Sequence, residues 1–279
     1  MKRSFLALTL VVAAVGSAQA IEPEYCSDFE PPIYSPGLIT GQDDWYVPVA
    51  GSVDFVIAPY GGSIAPNPNG GSHYAIGTPR SNTEYARAQH DVIFDPSAQY
   101  TLAYDVNVQP HGGTPPAANN IGSFSLQNSA SARSTQSLFV WDDLNNPAAG
   151  WSAQFLAVDA AGANSAFVTP GPEFTGLAFN TWYRNVLVID FATNEILSMS
   201  ITDIAANTTT TVSLTGRYLT GGADNVLGLP MPDGARLFTG GDQNNTVLWD
   251  NLCLEVVPAP ATGMVALLGL GALSRRRRN

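Results

Sequence analysis

Thr101-Leu102-Ala103-Tyr104-Asp105-Val106-Asn107-Val108 alternates without a break. Successive side chains of an extended chain point to opposite faces, so Leu102, Tyr104, Val106 and Val108 share one side and Thr101, Ala103, Asp105 and Asn107 the other. The stretch reads as a strand with an apolar face on a core and a polar face turned away. Tyr183, Leu187, Ile189 and Phe191 repeat the pattern, opposed by Arg184 and Asp190. Further strands are expected over 52–57, 91–94, 123–127, 137–141, 153–158, 196–202 and 208–214. The run from Asp190 to Thr202 reads as a hairpin turning at Ala192-Thr193-Asn194. Two long loops, 60–72 and 110–120, are rich in Gly, Pro and Asn.

Around these strands, 26 Gly and 20 Pro among 279 residues mark many turns, while 45% hydrophobic content is too apolar for a disordered chain. Outside the two ends no amphipathic helix and no fixed-period repeat is visible. Many short strands between turn clusters predict an all-β antiparallel β-sandwich, a jelly roll, over 21–256. All 23 acidic residues fall between Glu22 and Glu255; removing Lys2, Arg3 and Arg275 to Arg278 from the 12 basic residues leaves six, a body charge of −17. Such a surface repels nucleic acid and anionic headgroups, and it suits divalent cations and neutral or basic polymers better.

The ends carry addresses. Lys2 and Arg3, the apolar run from Phe5 to Val15, and Ala18-Gln19-Ala20 form the three regions of a signal peptide over 1–20, with Ile21 as the expected mature start. At the other end stand Val257-Pro258-Ala259-Pro260-Ala261-Thr262, an apolar run from Gly263 to Leu273, then Arg275, Arg276, Arg277 and Arg278. Eleven residues rise only about 16 Å as a helix, short of the ~30 Å hydrocarbon core. Upstream Ala259 to Thr262 and snorkelling arginines extend the reach, and the basic cluster stays cytoplasmic, so a short C-terminal membrane helix is expected to stop transfer. The layout over 257–279 resembles the PEP-CTERM sorting signal processed by exosortases in Gram-negative bacteria that make extracellular polysaccharide, with Ala259 where that family usually has Glu. The resemblance implies an exosortase-like processing enzyme as partner, transient anchoring in the inner membrane, and delivery to the cell surface or extracellular matrix.

Asp28-Phe29-Glu30, Gly41-Gln42-Asp43-Asp44-Trp45 and Trp249-Asp250-Asn251-Leu252 resemble the first and last strands of concanavalin A-like or laminin-G-like jelly rolls, which often lie side by side. Cys26 and Cys253 are the two cysteines, one in each terminal segment. Export places them where disulfides form, and strand parity puts both on polar outer faces, so a bridge is expected, with two free thiols as the alternative.

The familiar hydrolase, phosphate-loop and zinc motifs are absent from the sequence. His73, His90 and His111 are scattered, and His73 and His111 are expected to be exposed. A glycosidase would need two carboxylates about 5–10 Å apart across the sugar, and no strand-spaced acidic motif supplies them. Asp250 shares parity with Leu248, Leu252 and Leu254 and so is expected to point toward the core. A carboxylate there needs a partner: a backbone amide, an arginine, or a structural calcium held with Asp28 and Glu30. Of the five tryptophans, Trp141 and Trp151 border an acidic turn, so Trp141, Asp142 and Trp151 form a candidate sugar platform, against a plain core role. The function these readings favour is an exported surface or matrix protein without catalysis that binds extracellular polysaccharide. A glycosidase or lyase on the same fold is the alternative, and a purely structural matrix component a third.

Overall fold

The computed structural model describes residues 25–111, 118–128, 134–146 and 148–257. Its strands are β1 (Tyr25–Ser27), β2 (Gly37–Leu38), β3 (Val56–Pro59), β4 (His73–Gly77), β5 (Ala86–Asp91), β6 (Gln99–Val108), β7 (Asn120–Gln127), β8 (Thr135–Trp141), β9 (Trp151–Val158), β10 (Ser165–Val168), β11 (Tyr183–Asp190), β12 (Glu195–Asp203), β13 (Thr208–Tyr218), β14 (Gly234–Thr239) and β15 (Val247–Val256). Every ladder between them is antiparallel. The fold is therefore all-β and antiparallel, as the alternation implied. The expected signal-peptide and C-terminal membrane helices lie outside the described residues.

The strand path is β2-β3-β4-β15-β6-β11-β12-β13-β9-β8-β7-β14-β5, with β1 added to β15 and β10 to β9. It is nearly two sheets, because β13 meets β9 only where Tyr218 faces Val158. The halves close on each other through aromatic rings. Tyr104 of β6 lies 4.8 Å from Phe124 of β7, and Trp249 of β15 lies 5.5 Å from Phe139 of β8. The expected inward sets are buried there, including Leu102, Tyr104, Val106 and Val108 of β6 and Leu187 and Ile189 of β11. The hairpin is β11–β12, and Asn194 supplies a left-handed residue (φ 59°) to its turn.

Several strands differ from expectation. The 52–57 strand is β3, displaced to 56–59, and the 91–94 strand is the end of β5 and the chain beyond it. β4, β14 and all of β5 before Asp91 were not expected, because their inner faces carry Ala75, Ala86, Ala88 and Ala235 among few large apolar residues. Packing makes these strands, and alanine gives the period little contrast.

The last strand also departs from simple parity. Cα pairing of β15 with β6 shifts between Asp250 and Cys253, a β-bulge with Asn251 at φ 46°. The extra residue turns the strand over. Trp249, Leu252 and Leu254 consequently join the main core, while Leu248 packs with Tyr74, Trp182 and Ile204 on the outer face of the sheet. Asp250 is buried, but on that outer face with Leu248 and apart from Leu252 and Leu254. Asp105, paired with it across the ladder, also faces outward and is fully buried, because loop 60–72 covers both.

Candidate functional site

The described surface holds an open groove on the outer face of β5, β14, β7 and β8, lined by Arg87, Ser123, Ser125, Gln127, Gln136, Arg236, Phe238 and Asn120. Alternation builds it. In β14, Ala235 and Leu237 go to the core while Arg236 and Phe238 point out; in β7, Phe124 and Leu126 go in while Ser123, Ser125 and Gln127 point out. Gln136 Nε2 donates to Ser123 Oγ (2.8 Å) and Gln127 Nε2 to Ser125 Oγ (2.8 Å), which orients two amides along the floor.

Two guanidinium groups stand at one side. Arg236 donates through Nε (2.8 Å) and Nη2 (2.6 Å) to Gln89 Oε1. Gln89 Nε2 donates to the Tyr46 hydroxyl (2.6 Å), which donates to Asp91 Oδ1 (2.7 Å). Gly234 makes room for this chain of contacts, since a Cβ there would sit 2.4 Å from Gln89 Nε2. Arg87 lies over the rings of Tyr85 (4.7 Å) and Phe238 (5.5 Å) and donates to Ser52 Oγ (2.6 Å). Burial lowers the pKa of both arginines, and Arg87 lowers that of Arg236 further. Burial and the bond to Asp91 push the Tyr46 hydroxyl up to about 12, so it stays protonated. Among the described residues, no carboxylate lines the groove.

Elsewhere the structure places the residues singled out from the sequence. A disulfide joins Cys26 to Cys253, which sit opposite each other where β1 pairs with β15. Trp141 and Trp151 are 2% and 0% exposed, so neither ring offers an open face to a sugar; Trp141 packs on Phe179 and Trp151 on Phe139 and Tyr183. The platform gives way to the core role. Asp142 accepts from Ser152 Oγ and from the Gly176 amide (2.8 Å), which fastens a turn. His73 and His111 are enclosed as well: the His73 amide donates to Glu30 (2.6 Å), and His111 Nε2 is 3.1 Å from Asp242.

Asp28, Glu30 and Asp250 do not gather into a three-ligand cluster among the described residues. Asp28 is exposed and accepts from the Glu30 amide (3.1 Å), while Glu30 is held by the amides and hydroxyl of Ser72 and His73. Asp250 accepts from Tyr60 (2.8 Å), Asn67 (3.1 Å) and the Asn251 amide (2.8 Å). Neighbouring Asp105 accepts from Asn67 and Asn251 (both 2.8 Å) and lies 3.1 Å from Arg184 Nε. Protein N–H and O–H donors thus satisfy both carboxylates. Of the sorting motif, Val257 donates its amide to Gln99 O (2.8 Å). Pro258, Ala259, Pro260 and Arg275 to Arg278 lie outside the described residues.

Reasoning from sequence missed Arg87, Gln89 and Arg236. The signal available was the scarcity of basic residues in the body: six in all, two of them here.

Fold and groove define an antiparallel all-β protein with an arginine-bearing polar groove on one outer face. No family model matches the chain, and no curated protein matches it. Solved structures similar to it include the botulinum neurotoxin serotype G binding domain, at 10% identity over 80% of this chain and 48% of that one, TM-score 0.39. Others are alginate lyase vAL-1 from a Chlorella virus (12%, 72% and 89%, 0.38) and the cellulose induced protein Cip1 (10%, 85% and 100%, 0.45). The chain spans about half the length of the neurotoxin binding domains it matches. None of these similarities assigns a site or an activity to this chain.

Proposed function

We propose that this chain is an exported jelly-roll protein, sorted through its PEP-CTERM-like tail to the cell surface or matrix, that binds extracellular polysaccharide in the groove without chemically altering it. The groove itself carries this reading. It is long on oriented amide and hydroxyl groups, has the Phe238 ring in its lining, and is lined by no carboxylate among the described residues. Polar donors and acceptors with an aromatic edge suit sugar hydroxyls and ring faces. Hydrolysis by paired acids needs two carboxylates facing each other across the sugar. The acid pair of Asp105 and Asp250 is instead buried beneath loop 60–72 and occupied by protein donors.

A glycan array probed with the full chain tests the proposal. Saturable binding to polysaccharide that is lost on Gln136→Ala with Ser125→Ala supports it. Absence of saturable binding, or the appearance of shortened or unsaturated products on incubation, overturns it. Sorting is tested separately by replacing Arg275 to Arg278 with Gln, which is expected to change the cellular fraction that holds the protein.

A further inference from the structure

Resting on the reading of the groove as a glycan site, we infer that its ligand is an acidic polysaccharide bearing uronate-type carboxylates, gripped by Arg87 and Arg236. Among the described residues the arginines divide by partner. Arg80 pairs with Glu84 (3.2 Å) and Arg184 with Asp105 (3.1 Å). Arg217 has no carboxylate partner either, but it is exposed and water solvates it. Arg87 and Arg236 are half-buried, line the same groove, and pair with no carboxylate among the described residues, although the body carries 23 of them. Two partly desolvated cations facing one space without a counterion cost stability, and an incoming anion would offset that cost.

The shape of the donors selects the anion. A guanidinium presents five N–H groups in a planar fork that matches a carboxylate with two parallel bonds. Gln89 takes two donors of Arg236 and Ser52 one of Arg87, so donors remain on both. The contacts with Gln89 and with the Tyr85 and Phe238 rings hold both forks in place before a ligand arrives. Ser123, Ser125, Gln127 and Gln136 lie alongside for hydroxyls of the same polymer. The body's charge of −17 points to neutral or basic partners, but beyond about 10 Å at 0.1 M salt that field is screened, and the local cations decide.

The experiment compares binding of the full chain to a polyuronate, to the same polymer with its carboxyl groups reduced to alcohols, to its sulfated neutral counterpart, and to polyglutamate, all in 0.15 M salt. The polyuronate is expected to bind at least tenfold more tightly than each of the others, and Arg87→Gln or Arg236→Gln to remove that preference. The comparison of polymers uses the unaltered chain, so it decides even if a variant fails to fold. Equal binding of the reduced polymer overturns the acidic assignment and leaves the glycan reading standing. Tighter binding of the sulfated polymer overturns the carboxylate, and equal binding of polyglutamate overturns the saccharide. Binding of none overturns this inference and the glycan reading together.

Discussion

Asp250 is the residue at which burial and chemistry conflict most. Its carboxyl is fully buried beside Asp105, and desolvation raises it from 3.8 to about 7. Between those values the folded chain holds a proton that the unfolded chain has released, so stability from this group is complete below pH 4 and lost as pH rises through about 7. The Asp250→Asn chain lacks this slope. Its melting temperature minus that of the unaltered chain is expected to grow from pH 4 to about pH 7 and to level off above it; a constant difference would mean that Asp250 stays ionised throughout. Trp151 gives a second test at this scale. With 0% exposure and rings of Phe139 and Tyr183 against it, Trp151→Ala is expected to cost about 3–5 kcal/mol in denaturant unfolding. An unaltered midpoint with weakened sugar binding would restore the platform. Which tryptophans are core was left open by the sequence, because a ring beside a turn and a ring beneath one read the same.

Among the elements, β15 is where the bulge matters most. Asn251 sits at φ 46°, donates to Asp105 Oδ2 and Asn69 O, and lets Trp249 and Leu252 both reach the core. Valine tolerates left-handed backbone poorly, and Asn251→Val would also leave Asp105 one donor short. It is expected to lower stability by about 2–4 kcal/mol in chemical denaturation, and Asn251→Gly by less. Equal losses would place the whole effect in the hydrogen bonds. The alternation of β6 and β11 and the β11–β12 hairpin were legible beforehand, since large apolar side chains repeat every second residue. β5 and β14, which carry the groove, were not. In β5 alanine alternates with polar residues, and in β14 the adjacent Leu237 and Phe238 break the apolar period, so only their neighbours across the sheet make them strands.

For the whole molecule, the Cys26–Cys253 bond ties the first strand to the last across 227 residues. Cross-linking so long a loop restricts the unfolded chain, and the double change Cys26→Ser with Cys253→Ser is expected to cost about 2–5 kcal/mol. Denaturant midpoints check it, and two thiols should become alkylatable only after reduction. Unchanged stability would mean that β1 holds its place on β15 without the bond.

From the amino-acid order alone came the all-β antiparallel class, the outer-face position of the two cysteines, and the expectations for export and sorting at the two ends. Each is written in local pattern: period two, parity, or a run of like residues. Tertiary structure alone decided that Asp105 and Asp250 meet under loop 60–72, that the bulge reverses the face of Asp250, and that Arg87 and Arg236 share a groove. Those outcomes depend on which strands become neighbours. Arg87 and Arg236 lie 149 positions apart along the chain, and only the pairing of β5 with β14 brings them to one face.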